Sequence, residues 1–203
     1  MIEKNKYSFI HIPKNAGTSL KKKLEEIDYI NYYPHGVKFK NIIGKEIIIL
    51  REPLDRFTSA FFYLKKIKKD SKDNIFNTPE DLIKSLISFK PESLSFIRDE
   101  KNVDNKKIFT NWVFHCQSDW INNPYRILLF EDLERDLKLL SSELNISLIL
   151  PKLNTSNKID FKYSEQSLSY LKSLYKTDFL LYEMVKNLDY GDRSRKVKEY
   201  YDI

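Results

Sequence analysis

Two short stretches of this chain carry residue types that bind anions. The first, "FIHIPKNAGTSL" from Phe9 to Leu20, places a lysine, a glycine and two hydroxyls between an apolar run and a helical pattern. A helix N-terminus attracts anions through its open backbone N–H groups and the positive end of its dipole. Pro13 fixes the turn, and Gly17 is free to adopt backbone angles that other residues avoid. We interpret the stretch as an anion-binding loop; a plain strand-to-helix turn with a Ser/Thr cap and a surface lysine has the same composition.

The second stretch, "REPLDRFTSAFFY", begins at Arg51. It follows Glu46–Leu50, a continuous apolar run that is typical of a parallel strand covered on both faces. An arginine at the tip of a buried strand, followed by Ser59 in the next helix, suits a second phosphate. The alternative is an arginine that caps the helix or pairs with Glu52 or Asp55. Two anion sites about a nucleotide apart indicate a nucleotide phosphorylated at both ends.

The elements that must position these loops alternate along the chain. Apolar runs predict strands at Tyr7–Ile12, Glu46–Leu50 and Tyr125–Phe130. Helical spacing and start signals predict helices at Thr18–Ile27, from Pro53, after the N-cap Thr78, between Phe109 and Ile121, at "EDLERDLKLLSSEL", at Ser164–Tyr175 and at Thr177–Leu188. This alternation predicts an α/β fold with a central parallel sheet flanked by helices. Because ligands bind beyond the carboxyl ends of such strands, we expect both loops to face one crevice.

Composition limits the class of protein. The 203 residues are 41% hydrophobic, which suits a single domain over residues 1–203, with about 190–203 as a frayed tail. The net charge of +6 suits an anionic partner, although a polyanionic substrate, nucleic acid and simple solubility all fit it. A single cysteine, Cys116, excludes an intramolecular disulfide, and the three histidines lack metal-ligand spacing.

The chain shows no signal-peptide pattern and no apolar run of membrane-spanning length. We therefore expect a cytoplasmic protein without stable membrane insertion, although a catalytic domain trimmed of an anchor would look the same. The oligomeric state is left open.

The paired motifs resemble the sulfotransferase family that includes the heparan, chondroitin and other carbohydrate O-sulfotransferases (the sulfotransferase family 2 type). The family's 5′-phosphosulfate loop, Pro-Lys-Thr-Gly/Ala-Gly/Ser-Thr-Ser, corresponds to Pro13–Ser19, with Asn15 in place of the commoner threonine. Its 3′-phosphate motif, Arg-Asp/Glu-Pro-x-x-Arg-x-x-Ser, corresponds to Arg51–Ser59. Two weaker segments, "LLFEDLERDL" and "NTSNK", extend the resemblance over roughly residues 7–185.

The resemblance implies a P-loop-like three-layer sandwich that transfers a sulfuryl group from 3′-phosphoadenosine 5′-phosphosulfate (PAPS) to a carbohydrate hydroxyl. It implies that Lys14 binds the phosphosulfate and stabilises the leaving phosphate, and that Arg51 and Ser59 hold the 3′-phosphate. The cradle for the 5′-phosphate would consist of Asn15, Ala16, Gly17, Thr18 and Ser19. Because a sulfuryl group carries less charge than a phosphoryl group, no metal is expected.

The acceptor hydroxyl needs a general base, for which His35 is the candidate. It lies between the two motifs, where some family members carry a catalytic His-Gly-His, and a histidine titrates near neutrality. The sequence is equally consistent with His35 being a loop histidine without a catalytic role. Glu131 and His115 are the alternatives. Glu131 is also explained as an acidic residue in the first turn of a helix, and His115 as a residue of the core. We expect His11 to be packed or hydrogen-bonded.

For several other residues, the sequence allows two interpretations. Trp112 and Trp120 could stack on sugar rings or lie in the core, and the run Lys65–Lys69 could guide an anionic saccharide or form a solvated helix face. Two other functions compete with sulfuryl transfer: an ATP/Mg²⁺-dependent kinase of a nucleotide or small molecule with a divergent phosphate loop, and a non-catalytic polyanion-binding protein. Nucleic-acid binding is not expected, because the signal is concentrated in two loops.

Overall fold

The computed structural model describes residues 6–34, 42–97, 111–148 and 161–202, and every structural statement below refers to these ranges. The strands are β1 (Tyr7–Ile10), β2 (Ile30–Tyr33), β3 (Lys45–Leu50) and β4 (Pro124–Leu129). The helices are α1 (Gly17–Glu25), α2 (Pro53–Ile67), α3 (Pro79–Ile87), α4 (Pro91–Ile97), α5 (Leu133–Leu144), α6 (Glu165–Leu174), α7 (Lys176–Val185) and α8 (Tyr190–Tyr201).

The four strands form one parallel sheet in the order β2-β1-β3-β4. The three predicted strands are present, and the central parallel sheet with flanking helices is confirmed. The sequence did not predict β2, because "INYY" is short and only Ile30 in it is buried. Its register is set by β1, with Tyr7 opposite Ile30 and Ile10 opposite Tyr33.

Both faces of the sheet are covered by helices, which explains the unbroken apolar run of β3. Ile47 and Ile49 point into a cluster with α1 and α5, whereas Ile48 and Leu50 point into a cluster with α7 and α8. Successive side chains of a strand alternate between faces, so a strand buried on both sides cannot carry a polar face. Each fully buried isoleucine contributes roughly 2 kcal/mol to folding.

A third apolar cluster lies beside the sheet and joins α2, α3, α4 and α6. The predicted start of α3 is confirmed: the Thr78 side chain accepts the N–H of Asp81, and the Asp81 carboxylate accepts the N–H of Thr78. This reciprocal capping satisfies two backbone donors at once.

The segment before β4, predicted as helical, forms two 3₁₀ turns in its described part, Trp112–Phe114 and Gln117–Trp120. The reason is that side chains take the backbone donors that a continuous helix would use. Asn111 accepts the N–H of Val113, and the Asp178 carboxylate accepts the N–H groups of Gln117 and Ser118. Burial raises the pKa of Asp178.

The expectation of a frayed C-terminal tail is wrong. Residues 190–201 form the regular helix α8, whose Val197 is buried against the sheet. Arg193 is fully buried and pairs with the equally buried Asp136 of α5. The charged composition of the tail did not predict this buried ion pair, because a buried ion pair has the same residue types as a solvated helix face.

Within the described ranges, no helix combines the length and the apolar character needed to cross a bilayer.

Candidate functional site

The two predicted anion loops lie side by side. They follow β1 and β3, which are neighbours in the sheet, at the point where the strand order reverses direction. In open parallel sheets, this switch point opens the crevice that binds ligands. The guanidinium Nη1 of Arg51 donates to the carbonyl oxygen of Lys14 over 3.0 Å. The loops therefore touch directly at one edge of the sheet, as the order of the elements predicts.

The backbone of the first loop is bent by two residues in the left-handed region, Lys14 (φ 68°) and Ala16 (φ 61°). Each such residue costs roughly 1–2 kcal/mol when it carries a Cβ. Alternation of this kind directs successive N–H groups toward one concavity, where an anion binds. Ala16 contributes no side-chain cap to α1, whose first turn also carries no acidic residue. Backbone strain and an uncapped helix start are consistent with an anion site.

Gly17 is needed for a different reason from the predicted one. It opens α1 in helical geometry, and the left-handed angles fall on its neighbours instead. A Cβ on Gly17 would lie 2.0 Å from Cδ2 of His11, so the glycine is required by close packing. His11 is buried, as expected, and its Nδ1 is hydrogen-bonded to the Tyr32 hydroxyl. Burial raises the pKa of Tyr32 to about 12.

We predict that Gly17→Ala destabilises the protein by roughly 1–3 kcal/mol, because the new methyl group and the imidazole of His11 cannot occupy the same space. Urea denaturation measures the change. The double variant His11→Ala/Gly17→Ala should be more stable than the sum of the single variants implies, since removal of the ring opens room for the methyl group. Additive effects of the two substitutions would contradict this account.

Lys14 extends over the ring of Tyr63 on α2, with its Nζ 4.1 Å from the ring centroid. Burial, and then the neighbouring positive charges of Arg51 and Arg56, lower the pKa of Lys14 to about 8. Three positive groups therefore lie close together at this point, and the carboxylates of Asp55, Glu131 and Glu52 act on Arg51 without forming an ion pair with it. An anionic ligand would relieve that repulsion.

The two arginines donate to neighbouring carbonyl groups of the first loop. The Arg51 guanidinium lies 4.2 Å from the ring centroid of Phe130, and its buried Nε has no hydrogen-bond partner among the described residues. Arg56 is buried and donates to the carbonyl oxygens of Pro13 and Val113. Among the described residues, no carboxylate oxygen lies within 4.0 Å of the charged nitrogens of Lys14, Arg51 or Arg56. The predicted alternative, an ion pair of Arg51 with Glu52 or Asp55, is thus not formed.

Ser59 lies on the face of α2 that looks toward the first loop. It is three residues after Arg56, which contacts Pro13, and four before Tyr63, which contacts Lys14. Residues at these spacings share a helix face. Ser59 is partly exposed there, so its hydroxyl is available to a ligand beside Lys14.

The other residues of the predicted phosphate cradle differ in exposure: some face the ligand side and others the protein interior. Thr18 is exposed and Ser19 partly exposed, in the first turn of α1. Asn15 is buried, and its side-chain Nδ2 donates to Ile49 O and to Gln117 Oε1, each over 2.6 Å. Its N–H donates to the carbonyl of Ile12. Asn15 therefore stabilises the loop from the interior of the protein.

Gln117 is the residue that sequence analysis missed. Its Oε1 accepts from Asn15 and from the backbone N–H of Arg51, and its Nε2 donates to the carbonyl of Arg51. One buried amide thus connects both loops. No local pattern marks it, because its role depends on a contact with residues more than sixty positions away in the chain.

The candidates for the general base have different positions. His35 lies outside the described residues, so its role stays a prediction. Glu131 is exposed at the tip of β4, where its Oε1 accepts the N–H of Glu52 over 2.9 Å. It therefore borders the crevice beside Arg51. His115 is partly buried at the end of the first 3₁₀ turn.

A scan against models of known protein families finds no match for this chain, and a search of curated proteins finds none either. The functional argument therefore depends on the arrangement of the site itself. That arrangement consists of a strained loop at a helix N-terminus, three crowded cations and two hydroxyl-bearing residues of the helix start. It is suited to binding a ligand with more than one negative charge.

Proposed function

We propose that the protein is a sulfotransferase that moves a sulfuryl group from PAPS to a hydroxyl of a carbohydrate acceptor. The observation that carries the proposal is the hydrogen bond from Arg51 to the Lys14 carbonyl, which joins two motifs of separate sequence origin in one crevice. Each motif alone has an ordinary structural explanation. Their contact at the switch point of the sheet is what a donor with phosphates at both ends would require.

The hydrogen-bond donors and positive charges at this site support PAPS as the ligand. The place where the loops meet offers a lysine, an arginine whose buried Nε has no partner within the described part of the chain, and the N-terminus of α1. All of these are hydrogen-bond donors or positive charges, as a polyanion needs. In the proposed arrangement, the loop of residues 14–19 binds the 5′-phosphosulfate, while Arg51 and Ser59 bind the 3′-phosphate.

Lys14 has the central role in the proposed mechanism. Sulfuryl transfer proceeds in line between two oxygens, so the enzyme contributes mainly position and charge stabilisation, as in phosphoryl transfer. Negative charge grows on the bridging oxygen of the donor as the bond to sulfur breaks. The ammonium group of Lys14, held between Tyr63 and the two arginines, would stabilise that charge. The base that receives the acceptor proton would be His35, with Glu131 as the alternative.

Thermal unfolding with nucleotides tests the donor half of the proposal. Adenosine 3′,5′-bisphosphate should raise the unfolding midpoint by several degrees, because a ligand at 100 times its Kd stabilises the folded state by about 2.7 kcal/mol. ATP with Mg²⁺ at equal concentration should raise it far less. The reverse ranking would favour the kinase.

The variant Arg51→Ala locates the 3′-phosphate. It should weaken binding of adenosine 3′,5′-bisphosphate by about tenfold or more while leaving adenosine 5′-phosphate binding nearly unchanged. Lys66→Ala, which removes an exposed lysine of α2, serves as the matched control. Equal loss for both nucleotides would show that Arg51 only braces the first loop through its bond to Lys14.

The lowered pKa of Lys14 predicts how donor binding depends on pH. In the free protein, Lys14 loses its proton near pH 8, whereas a bound phosphate dianion would raise its pKa again. Binding then takes up a proton above pH 8, so affinity for adenosine 3′,5′-bisphosphate should fall by up to tenfold per pH unit above this point. Calorimetric titrations from pH 7.5 to 9.5 measure the slope. Lys14→Met should abolish it, and an unchanged slope would assign the titration to another group.

A further inference from the structure

Two aromatic side chains lie next to Lys14. Tyr63 lies under the Lys14 ammonium, and Trp112 meets Tyr63 edge to face, with ring centroids 6.4 Å apart and an interplanar angle of 60°. Both side chains are partly exposed. They form a corner, which we call the aromatic corner, that begins 4.1 Å from the Nζ of Lys14.

The aromatic corner and the positive groups contact Lys14 at different places. Arg51 reaches the first loop from the tip of β3 and donates to the Lys14 carbonyl, so the proposed 3′-phosphate lies on the backbone side of Lys14. The aromatic corner lies instead at the ammonium end of the Lys14 side chain, one helical turn beyond Ser59 on α2. An acceptor oxygen must come within about 3–3.5 Å of the transferring sulfur, so the acceptor must lie within one ring diameter of Lys14.

We propose that Tyr63 and Trp112 form the acceptor subsite, on which a sugar ring packs with one of its C–H faces. A pyranose offers an apolar face and a polar rim, and aromatic side chains provide large rigid apolar surfaces with polar edges. The inference rests on the proposed function, and it adds the place and the recognition chemistry of the acceptor.

The other tryptophan provides a contrast. Trp120 is 7% exposed and belongs to the cluster between the sheet and α7 and α8. It is a core residue. Trp112 packs against the apolar cluster of α2, α3, α4 and α6 with part of its side chain, and its exposed part is open to contact with a sugar.

The first measurement is kinetic. Transfer of labelled sulfate from PAPS is measured to a panel of hexasaccharides (chitin, cellulose, hyaluronan, chondroitin and N-acetylheparosan fragments), with tyramine and a tyrosine peptide as acceptors that are not sugars. For the best saccharide, Tyr63→Leu and Trp112→Leu should each raise KM roughly tenfold. Tyr63→Phe and Trp112→Phe retain the aromatic face and should stay within about twofold of the unaltered protein.

Donor binding separates this inference from the proposed function. The two Trp112 variants and Tyr63→Phe, which keeps the ring under Lys14, should show the same stabilisation by adenosine 3′,5′-bisphosphate as the unaltered protein. Loss of that stabilisation in Trp112→Leu would mean that the corner binds the adenine, and would overturn the inference. No stabilisation in the unaltered protein would remove the sulfotransferase proposal itself.

Fluorescence gives a readout independent of turnover. The chain has two tryptophans, so Trp120→Phe leaves Trp112 as the only indole. Addition of the accepted hexasaccharide should shift the Trp112 emission to shorter wavelength, because the sugar excludes water from the ring. An unchanged spectrum at saturating acceptor, or sulfate transfer to the phenolic acceptors with none to the saccharides, overturns the inference.

Discussion

Replacing Lys14 with methionine is expected to lower kcat for sulfuryl transfer by roughly 10²–10³-fold. Removing one charged or hydrogen-bonding group that acts on the developing negative charge of a transition state has an effect of this size. Methionine retains the length and the contact with the Tyr63 ring, so the loop should keep its shape. Transfer of labelled sulfate from PAPS under saturating donor measures the loss.

Two controls make the Lys14 result specific. Lys14→Arg keeps the charge but spreads it over a planar group, and we expect it to bind donor while recovering only part of the activity. Lys22→Met removes an exposed lysine from α1 and should leave kcat unchanged. Activity of Lys14→Met within threefold of the unaltered protein would exclude Lys14 from the chemical step.

Replacing Asp136 with alanine should destabilise the protein by about 3–5 kcal/mol. The Asp136 carboxylate is fully buried, pairs with Arg193 and accepts the N–H of Leu129 over 2.8 Å. Without it, the buried guanidinium of Arg193 loses its closest carboxylate and, among the described residues, keeps only the more distant Asp132 at 3.7 Å, and a buried backbone N–H is also left unsatisfied. For a chain of this length, the midpoint of thermal unfolding should fall by roughly 10 °C.

The controls for Asp136 lie on the same helix. Glu134→Ala removes an exposed carboxylate that pairs with Lys138 at the surface and should leave the midpoint nearly unchanged, because exposed ion pairs contribute little. The double variant Asp136→Leu/Arg193→Met replaces both charges by apolar groups and should recover the part of the stability that was lost with the ion pair, while the N–H of Leu129 stays unsatisfied. If Asp136→Ala behaves like Glu134→Ala, α8 is held by its apolar contacts alone.

The buried pair also affects the site. Asp136 holds the N–H of Leu129, the last residue of β4, and the next residue, Phe130, lies under the Arg51 guanidinium. Stability of the C-terminal helix and placement of the candidate 3′-phosphate ligand are therefore connected through one strand end. A chain shortened before α8 would lose Arg193, and with it this support.

Local features of the sequence were sufficient for most of the elements and for the position of the crevice. The apolar run of β3 can only be a strand buried on both faces, and Pro53, Thr78 and Ser164 mark helix starts through interactions within a few residues. Parallel strands place their carboxyl ends at one edge, so the meeting of the two loops followed from the order of the elements. The left-handed angles of Lys14 and Ala16 were not predictable, since both residues ordinarily avoid them.

By itself, the sequence determined the α/β alternation, the positions of the two loops and their common edge, because these depend on short-range spacing. Only the tertiary structure decided what lies behind and beside the loops. Gln117 joins them, His11 requires glycine at position 17, Tyr63 lies under Lys14, and Arg193 anchors α8. Each of these contacts joins residues far apart in the chain. Burial gives a polar or charged side chain its partner and its pKa, and burial is a property of the folded chain as a whole.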